Sequence, residues 1–247
     1  MYTNTQCFNY TEENTQCAYY DDKLCDIQYR YMDKCTLQQQ QTMLERGWRR
    51  FGNMHFVPQC KGCNACTTLR IDIENFNFSK SHKRVLNKNK NTEIYIQKPT
   101  VTYEHLELFN KYHKVMQTKK GWEENKIDPD LYCKSYVDGA NEFGKELLYF
   151  IGDKLVAVAL IDILPNGISS IYCYYDHDFE ELSLGKFSIL SQILLAKQHK
   201  IPYLYLGYWI KDHPSMGYKE YYKPFEILEN RPLFDEEPIY SLYKEGN

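Results

Sequence analysis

The chain has no apolar run long enough to cross a bilayer: the longest, Leu155 to Leu164, is short and interrupted by Asp162. Its first twenty residues, MYTNTQCFNYTEENTQCAYY, have neither a basic start nor an apolar core, so no secretory leader is expected. A cytosolic protein without a membrane partner is the expectation. In that compartment the nine cysteines stay reduced, which argues against a disulfide framework and leaves metal binding or ordinary thiols. No internal repeat is present, so a solenoid is excluded. Hydrophobic residues at 43% and charged residues at 26% exclude wholesale disorder.

What the chain does have is tyrosine, 23 residues of it, whose flat apolar rings with polar tips suit both cores and wet clefts. The net charge of -3 hides an uneven distribution. Residues 1–45 carry 3 Lys/Arg against 7 Asp/Glu, residues 46–98 carry 11 against 3, and residues 99–247 carry 16 against 23. A central +8 segment between acidic flanks is the footprint of a phosphate backbone or an acidic ligand, or else a solvated basic face.

The hydrophobic periodicity predicts a helix over Leu37 to Trp48 that ends near Gly47, then short extended runs over 54–78. The polar, basic stretch Ser79 to Asn91 should cross the surface before a strand at Thr92 to Gln97. Pro99 marks a domain boundary, giving residues 1–98 and 99–247. Beyond it come a helix over Tyr103 to Trp122, a second through Asp130 to Val137, and three strands at Leu147 to Ile151, Leu155 to Leu164 and Ile168 to Tyr175. A helix over Leu184 to Lys200, with Ser183 as its N-cap, and a strand at Tyr203 to Leu206 follow. This order describes an α+β protein: a small N-terminal cysteine-containing, basic domain, then a mixed sheet flanked by helices of the N-acetyltransferase type.

Four constellations could carry chemistry. Cys60-x-x-Cys63-x-x-Cys66 has a spacing at which one loop can wrap a soft metal, with Cys17, His55, Cys25 or Cys35 as the fourth ligand; thiols beside a turn are the plain alternative. Leu69-Arg70-Ile71 and Ser79-Lys80-Ser81-His82-Lys83-Arg84 alternate hydroxyls and cations that can hold phosphate or carboxylate oxygens, as many surface loops also do. Asp162 is a carboxylate in an apolar strand, on the opposite face from Ile161 and Ile163. It either faces a cleft or is paired structurally. Ser183-Leu184-Gly185-Lys186 opens a helix whose free N–H groups suit a phosphate, or is an ordinary cap.

Taken together, Gly47-Trp48-Arg49-Arg50-Phe51-Gly52, Pro58-Gln59-Cys60-Lys61-Gly62-Cys63-Asn64-Ala65-Cys66, Leu69-Arg70-Ile71 and the Ser79 to Arg84 block resemble the aminoacyl-tRNA:protein transferases. Asp162-Ile163-Leu164-Pro165, Ser169-Ser170-Ile171-Tyr172, Ser183-Leu184-Gly185, Tyr205-Leu206-Gly207-Tyr208-Trp209-Ile210 and Met216-Gly217-Tyr218-Lys219 continue the likeness in the same order, over residues 16–232. Within that family the chain looks most similar to the bacterial aspartate/glutamate leucyltransferases, with the arginyltransferases as more distant relatives. Two departures stand out. Cys17-Ala18-Tyr19-Tyr20 lacks the second cysteine of the arginyltransferases' Cys-x-x-Cys pair, and His82-Lys83 stands where the family block has Gln-Arg.

The resemblance implies leucyl-tRNA as donor, proteins beginning with Asp or Glu as acceptors, and a role in N-degron degradation; arginyl transfer is the alternative. It assigns Asp162 and Tyr172 to catalysis, with Asp162 taking the proton of the acceptor amine. Arg70, Lys83, Arg84 and Lys219 are assigned to the acceptor, and Ser183, Gly185 and Lys186 to the tRNA. No cofactor is required for transfer, while Cys17, Cys60, Cys63 and Cys66 form a candidate structural site for zinc or an iron–sulfur cluster. An acyl-CoA-dependent acetyltransferase is the rival class, but Gly185 alone is a poor substitute for a glycine-rich pyrophosphate loop. A non-catalytic nucleic-acid module would leave the second half unexplained.

Overall fold

The computed structural model describes residues 7–244; positions 1–6, part of the stretch read for a leader, lie outside the described residues. Among the described residues there are two sheets. In the smaller, β1 (Cys7–Gln16), β2 (Leu24–Met32), β4 (Met54–Pro58) and β3 (Arg49–Phe51) pair antiparallel in that spatial order. Between β2 and β3 runs α1 (Leu37–Glu45). Thr36 caps it by accepting from the Gln39 N–H, and the Gln39 side chain reaches back to the Thr36 N–H.

The larger sheet has eight strands. Starting from the edge, β12 (Tyr240–Leu242), β11 (Phe225–Leu228), β5 (Thr67–Asp72) and β10 (Tyr203–Trp209) are followed by β9 (Gly167–Tyr175), β8 (Lys154–Leu164), β7 (Gly144–Ile151) and β6 (Glu93–Gln97). Residues on both sides of Pro99 therefore build this sheet, since β5 and β6 precede it and the other six strands follow. Helices cover both faces, which is why β8 is buried nearly end to end instead of alternating. On one face α5 (Leu184–His199) packs Phe187, Leu190 and Ile193 onto Tyr149, Ala157 and Ile161. On the other, α3 (Tyr103–Lys120) and α4 (Pro129–Tyr132) bring Phe109, Tyr112 and Tyr132 against Val158 and Tyr174. A third cluster, Met43, Leu44, Trp48 and Val57 with Leu164 and Tyr205, seats α1 and the small sheet on the large one.

The α+β class is as expected, with several local differences. The basic stretch after Ser79 crosses the surface as a helix, α2 (Lys80–Lys88). Ser79 accepts from the His82 N–H, and His82 Nδ1 accepts from the Ser79 N–H, so a histidine completes the capping box. The helix expected through Val137 ends as α4 and continues as a π-helical turn, Cys133–Val137. Ser183 stands at the N-cap of α5 with φ of 54°, but its side chain makes no capping bond.

Among the described residues one pair in the large sheet is parallel and the rest are antiparallel. Strands β9 and β10, joined by the α5 crossover, meet at Leu204 opposite Ile168 and Tyr205 opposite Ser169, and pair no further. Beyond that point β10 bulges between Tyr205 and Tyr208 relative to β5, with Gly207 in the left-handed region at φ of 81°. The C-terminal halves of the two strands thus part beside the start of α5. Such a parting at the carboxyl ends of parallel strands is where open sheets accept ligands.

Candidate active site

Asp162 lies on the face of β8 opposite Ile161, but α1 and β3 cover that face completely. Its Oδ1 accepts from Arg50 Nη2 at 2.5 Å, and its Oδ2 from Arg50 Nε and Gln40 Nε2 at 2.9 Å each. Gln40 Oε1 in turn takes a hydrogen bond of 2.8 Å from His55 Nε2. Burial, with Arg50 beside it, holds His55 down to about 3, so the ring is neutral and serves as a donor. The open carboxylate expected to take a proton from an amine is instead the anchor of a buried ion pair that ties the small sheet to the large one.

Tyr172 stands on β9 opposite Leu160, two residues from Asp162 along β8. Its ring lies between Tyr136 and His113, at centroid separations of 5.6 and 6.0 Å. Burial raises the phenol far above its ordinary value and lowers His113, so Tyr172 donates to the neutral His113 Nε2 at 2.9 Å. Phe51 approaches the same ring edge-on.

The four cations expected at one acceptor site are separated. Arg70 is paired with Glu226 at 2.6 Å, sandwiched between the rings of Tyr203 and Tyr240 at 3.6 and 3.7 Å, and bonded to the Tyr205 hydroxyl. Its charge is already paired, and both faces of its guanidinium are covered. Lys83 and Arg84 stand exposed on α2. Lys219, in the 3₁₀ segment Gly217–Tyr221, is buried; its Nζ donates to the Tyr208 carbonyl and lies 3.7 Å from Met216 Sδ. Burial, then the nearby Arg49, pushes Lys219 down to about 7.

Arg49 carries no role in the sequence reading, although it stands in the Trp48-Arg49-Arg50 motif. Strand alternation sends it to the face opposite Arg50. Its Nη1 donates to the Trp48 and Leu44 carbonyls at 2.7 and 3.4 Å, and its guanidinium lies near the rings of Tyr205 and Tyr208. Nε and Nη2 are buried without any partner. A β-carbon placed on Gly207 would lie 3.9 Å from both Arg49 Nε and Lys219 Nζ, so the two cations look into one small hollow over that glycine. Among the described residues no carboxylate pairs with either. The clue in the sequence was two adjacent arginines on a strand, of which one partner, Asp162, can satisfy only one.

On the α5 side of the parting, Gly185 lets the helix start approach closely: a β-carbon there would meet the Tyr175 ring at 3.1 Å. Lys186 is exposed beside His82, whose ring stacks between Phe76 and Tyr222. The start of α5 thus meets α2 where Lys186 stands beside His82. The four cysteines share a neighbourhood: Cys66 is pushed up to about 12 by burial and then by Cys60, Cys17 and Cys63. Arg231 holds that loop through the Cys60 and Cys63 carbonyls. Among the described residues no group of three His, Cys, Asp or Glu side chains is placed to hold a metal ion. Beside the thiols opens a cavity of about 420 Å³ lined by Trp48, Cys66, Thr68, Tyr208 and Arg231.

Two descriptions of known proteins match successive parts of this arrangement: the N terminus of arginine-tRNA-protein transferase over residues 15–84, and its C terminus over residues 104–229. The chain belongs to the arginine-tRNA-protein transferase family. Curated relatives in this family include the aspartate/glutamate leucyltransferase of Helicobacter hepaticus, 48% identical over 94% of this chain and 96% of that protein. That of Campylobacter jejuni strain 81116 is 46% identical over 91% and 95%. Among solved structures, L-PGS from Bacillus licheniformis superposes with a TM-score of 0.49 at 12% identity, covering 74% of this chain and 61% of that one. FemX gives 0.48 at 11%, covering 78% and 67%. Both halves of the family are therefore present, and they meet at the Arg50–Asp162 pair.

Proposed function

We propose that this protein transfers leucine from leucyl-tRNA to the α-amino group of polypeptides beginning with aspartate or glutamate, marking them for degradation. Family membership and the names of the relatives support the reading. The observation that carries it is the parting of β9 and β10 beside the start of α5. The first N–H groups of α5 and its dipole suit the phosphates of a tRNA 3′ end, with Lys186 next to them. Lys80, Lys83, Arg84, Lys88 and Lys90 on or beside α2 extend a basic surface for the backbone of the same RNA.

The donor is an ester and already activated, so alignment of the amine on its carbonyl supplies much of the rate, up to about 7 to 11 kcal/mol. An α-amino group titrates near 8, which leaves about a tenth of it free at pH 7. With Asp162 buried, the amine enters in its free form, and the neighbouring hydroxyl of the tRNA relays the proton, taking one from the attacking amine as it gives its own to the departing ribose oxygen. Tyr172, kept protonated by burial, orients His113 in the aromatic wall on the α3 side.

The test is incubation of the protein with charged tRNA and a peptide beginning with Asp, read by mass spectrometry. Addition of leucine from leucyl-tRNA is expected. Arginine from arginyl-tRNA, or acetyl from acetyl-CoA, as the only group transferred would overturn the reading.

A further inference from the structure

We infer that the hollow over Gly207, walled by Arg49 and Lys219, receives the side-chain carboxylate of the acceptor's first residue and sets the preference for acidic N-termini. The inference rests on the proposed aminoacyl transfer and names the residues that choose its acceptor.

The free edge of Arg49 is its Nε–Nη2 side, the edge on which a guanidinium holds a carboxylate by two parallel hydrogen bonds. A buried donor with no acceptor is costly unless a ligand completes it. Here one of those two atoms, Arg49 Nε, and a second buried cation, Lys219 Nζ, approach one point over Gly207, and the glycine leaves that point empty. Neighbouring groups do not compete: Arg50 is spent on Asp162, Arg70 on Glu226, and Tyr205 and Tyr208 present rings to Arg49. Lys219, displaced to about 7 in the empty site, regains its charge when an anion arrives, so binding takes up a proton. A phosphodiester flanked by nucleotides is too bulky for a hollow between two buried side chains. The side chain at the free end of a polypeptide is not.

The experiment measures leucine transfer by the full-length protein to two peptides identical except for Asp or Asn at the first position. The wild-type protein should favour Asp by at least ~10²-fold in kcat/KM, as expected for a site built around a charged hydrogen-bonding group. Arg49→Gln should collapse that ratio to within ~10-fold, mainly by raising KM for the Asp peptide; Arg49→Lys, which keeps charge but not the fork, should fall between. An unchanged ratio in Arg49→Gln would overturn the inference while leaving the reaction standing. So would a rise in KM for leucyl-tRNA at an unaltered ratio, which would mean the hollow binds RNA phosphate. If no leucine is transferred at all, the functional reading fails and calorimetric binding of the two peptides decides the hollow by itself. Should Arg49→Gln not fold by circular dichroism, Arg49→Lys and Lys219→Met carry the same comparison.

Discussion

Asp162, Arg50, Gln40 and His55 form a chain of buried polar groups in which each member satisfies the next. Removing the carboxylate leaves the Arg50 guanidinium buried and uncompensated, and Asp162→Asn should lower stability by about 3 to 5 kcal/mol in urea unfolding. The pH dependence of whatever activity survives should match the wild type, because the group is not exposed to substrate; a shifted profile would return Asp162 to the chemistry. Gly207 offers a second residue-scale test. Alanine there costs about 1 kcal/mol for the left-handed backbone and puts a methyl group into the hollow. KM for Asp-starting peptides should rise while KM for leucyl-tRNA stays put. Much of this site was hidden in the sequence, because a strand shows which residues alternate but not what covers each face. Asp162 was correctly placed opposite Ile161, and only α1 and β3 arriving from a hundred residues away decided that the face is closed. Arg70 looked free for the same reason, its partners Glu226 and Tyr240 being remote in the chain.

The elements were more legible than their contacts. The strand pattern over Leu155 to Leu164 and Ile168 to Tyr175 matches β8 and β9 to within a residue at their starts, because an apolar run bounded by turn residues has few other uses. The hairpin β1–β2 leaves little trace in the sequence: every residue of its first strand except Thr15 is exposed, so no buried face marks it. In the sequence the helix α2 shows only as a basic surface stretch, since its core side is little more than Val85 and Leu86. That same helix and the start of α5 form the basic surface to be tested against RNA. Lys186→Ala and Arg84→Ala should each weaken leucyl-tRNA binding and reduce its salt dependence by about one phosphate contact, with the peptide KM unchanged. An undiminished salt dependence in both would place the RNA elsewhere. Replacing Ser79 with Ala, which removes the cap of α2, should cost about 1 kcal/mol and show the same weakening.

Across the whole molecule, acid should unfold the protein in two stages. Folded His55 resists protonation down to about 3, whereas in the unfolded chain it titrates near 6.5. The unfolded state therefore binds the extra proton, and stability falls as pH drops from about 6.5 toward 3. Asp176 is pushed up by burial, but Lys111 and Lys154, at 2.6 and 2.8 Å, more than reverse this and hold it at about 2. Its contribution is present above the unfolded value of 3.8 and is lost as pH falls through about 2. Urea midpoints should decline from pH 7 to pH 3 and fall further to pH 2; a flat first stretch would contradict the His55 assignment, and a flat second stretch that of Asp176. The place of the hollow over Gly207, between Arg49 and Lys219, has a last consequence, for how far the reaction runs. Once a residue has been added, the acidic side chain sits one position further along the chain and no longer reaches Arg49 when the new amine lies in the opening. If the hollow selects the acceptor as inferred, the modification should be self-terminating: after a long incubation mass spectrometry should show more singly tagged polypeptides and none with a longer tag.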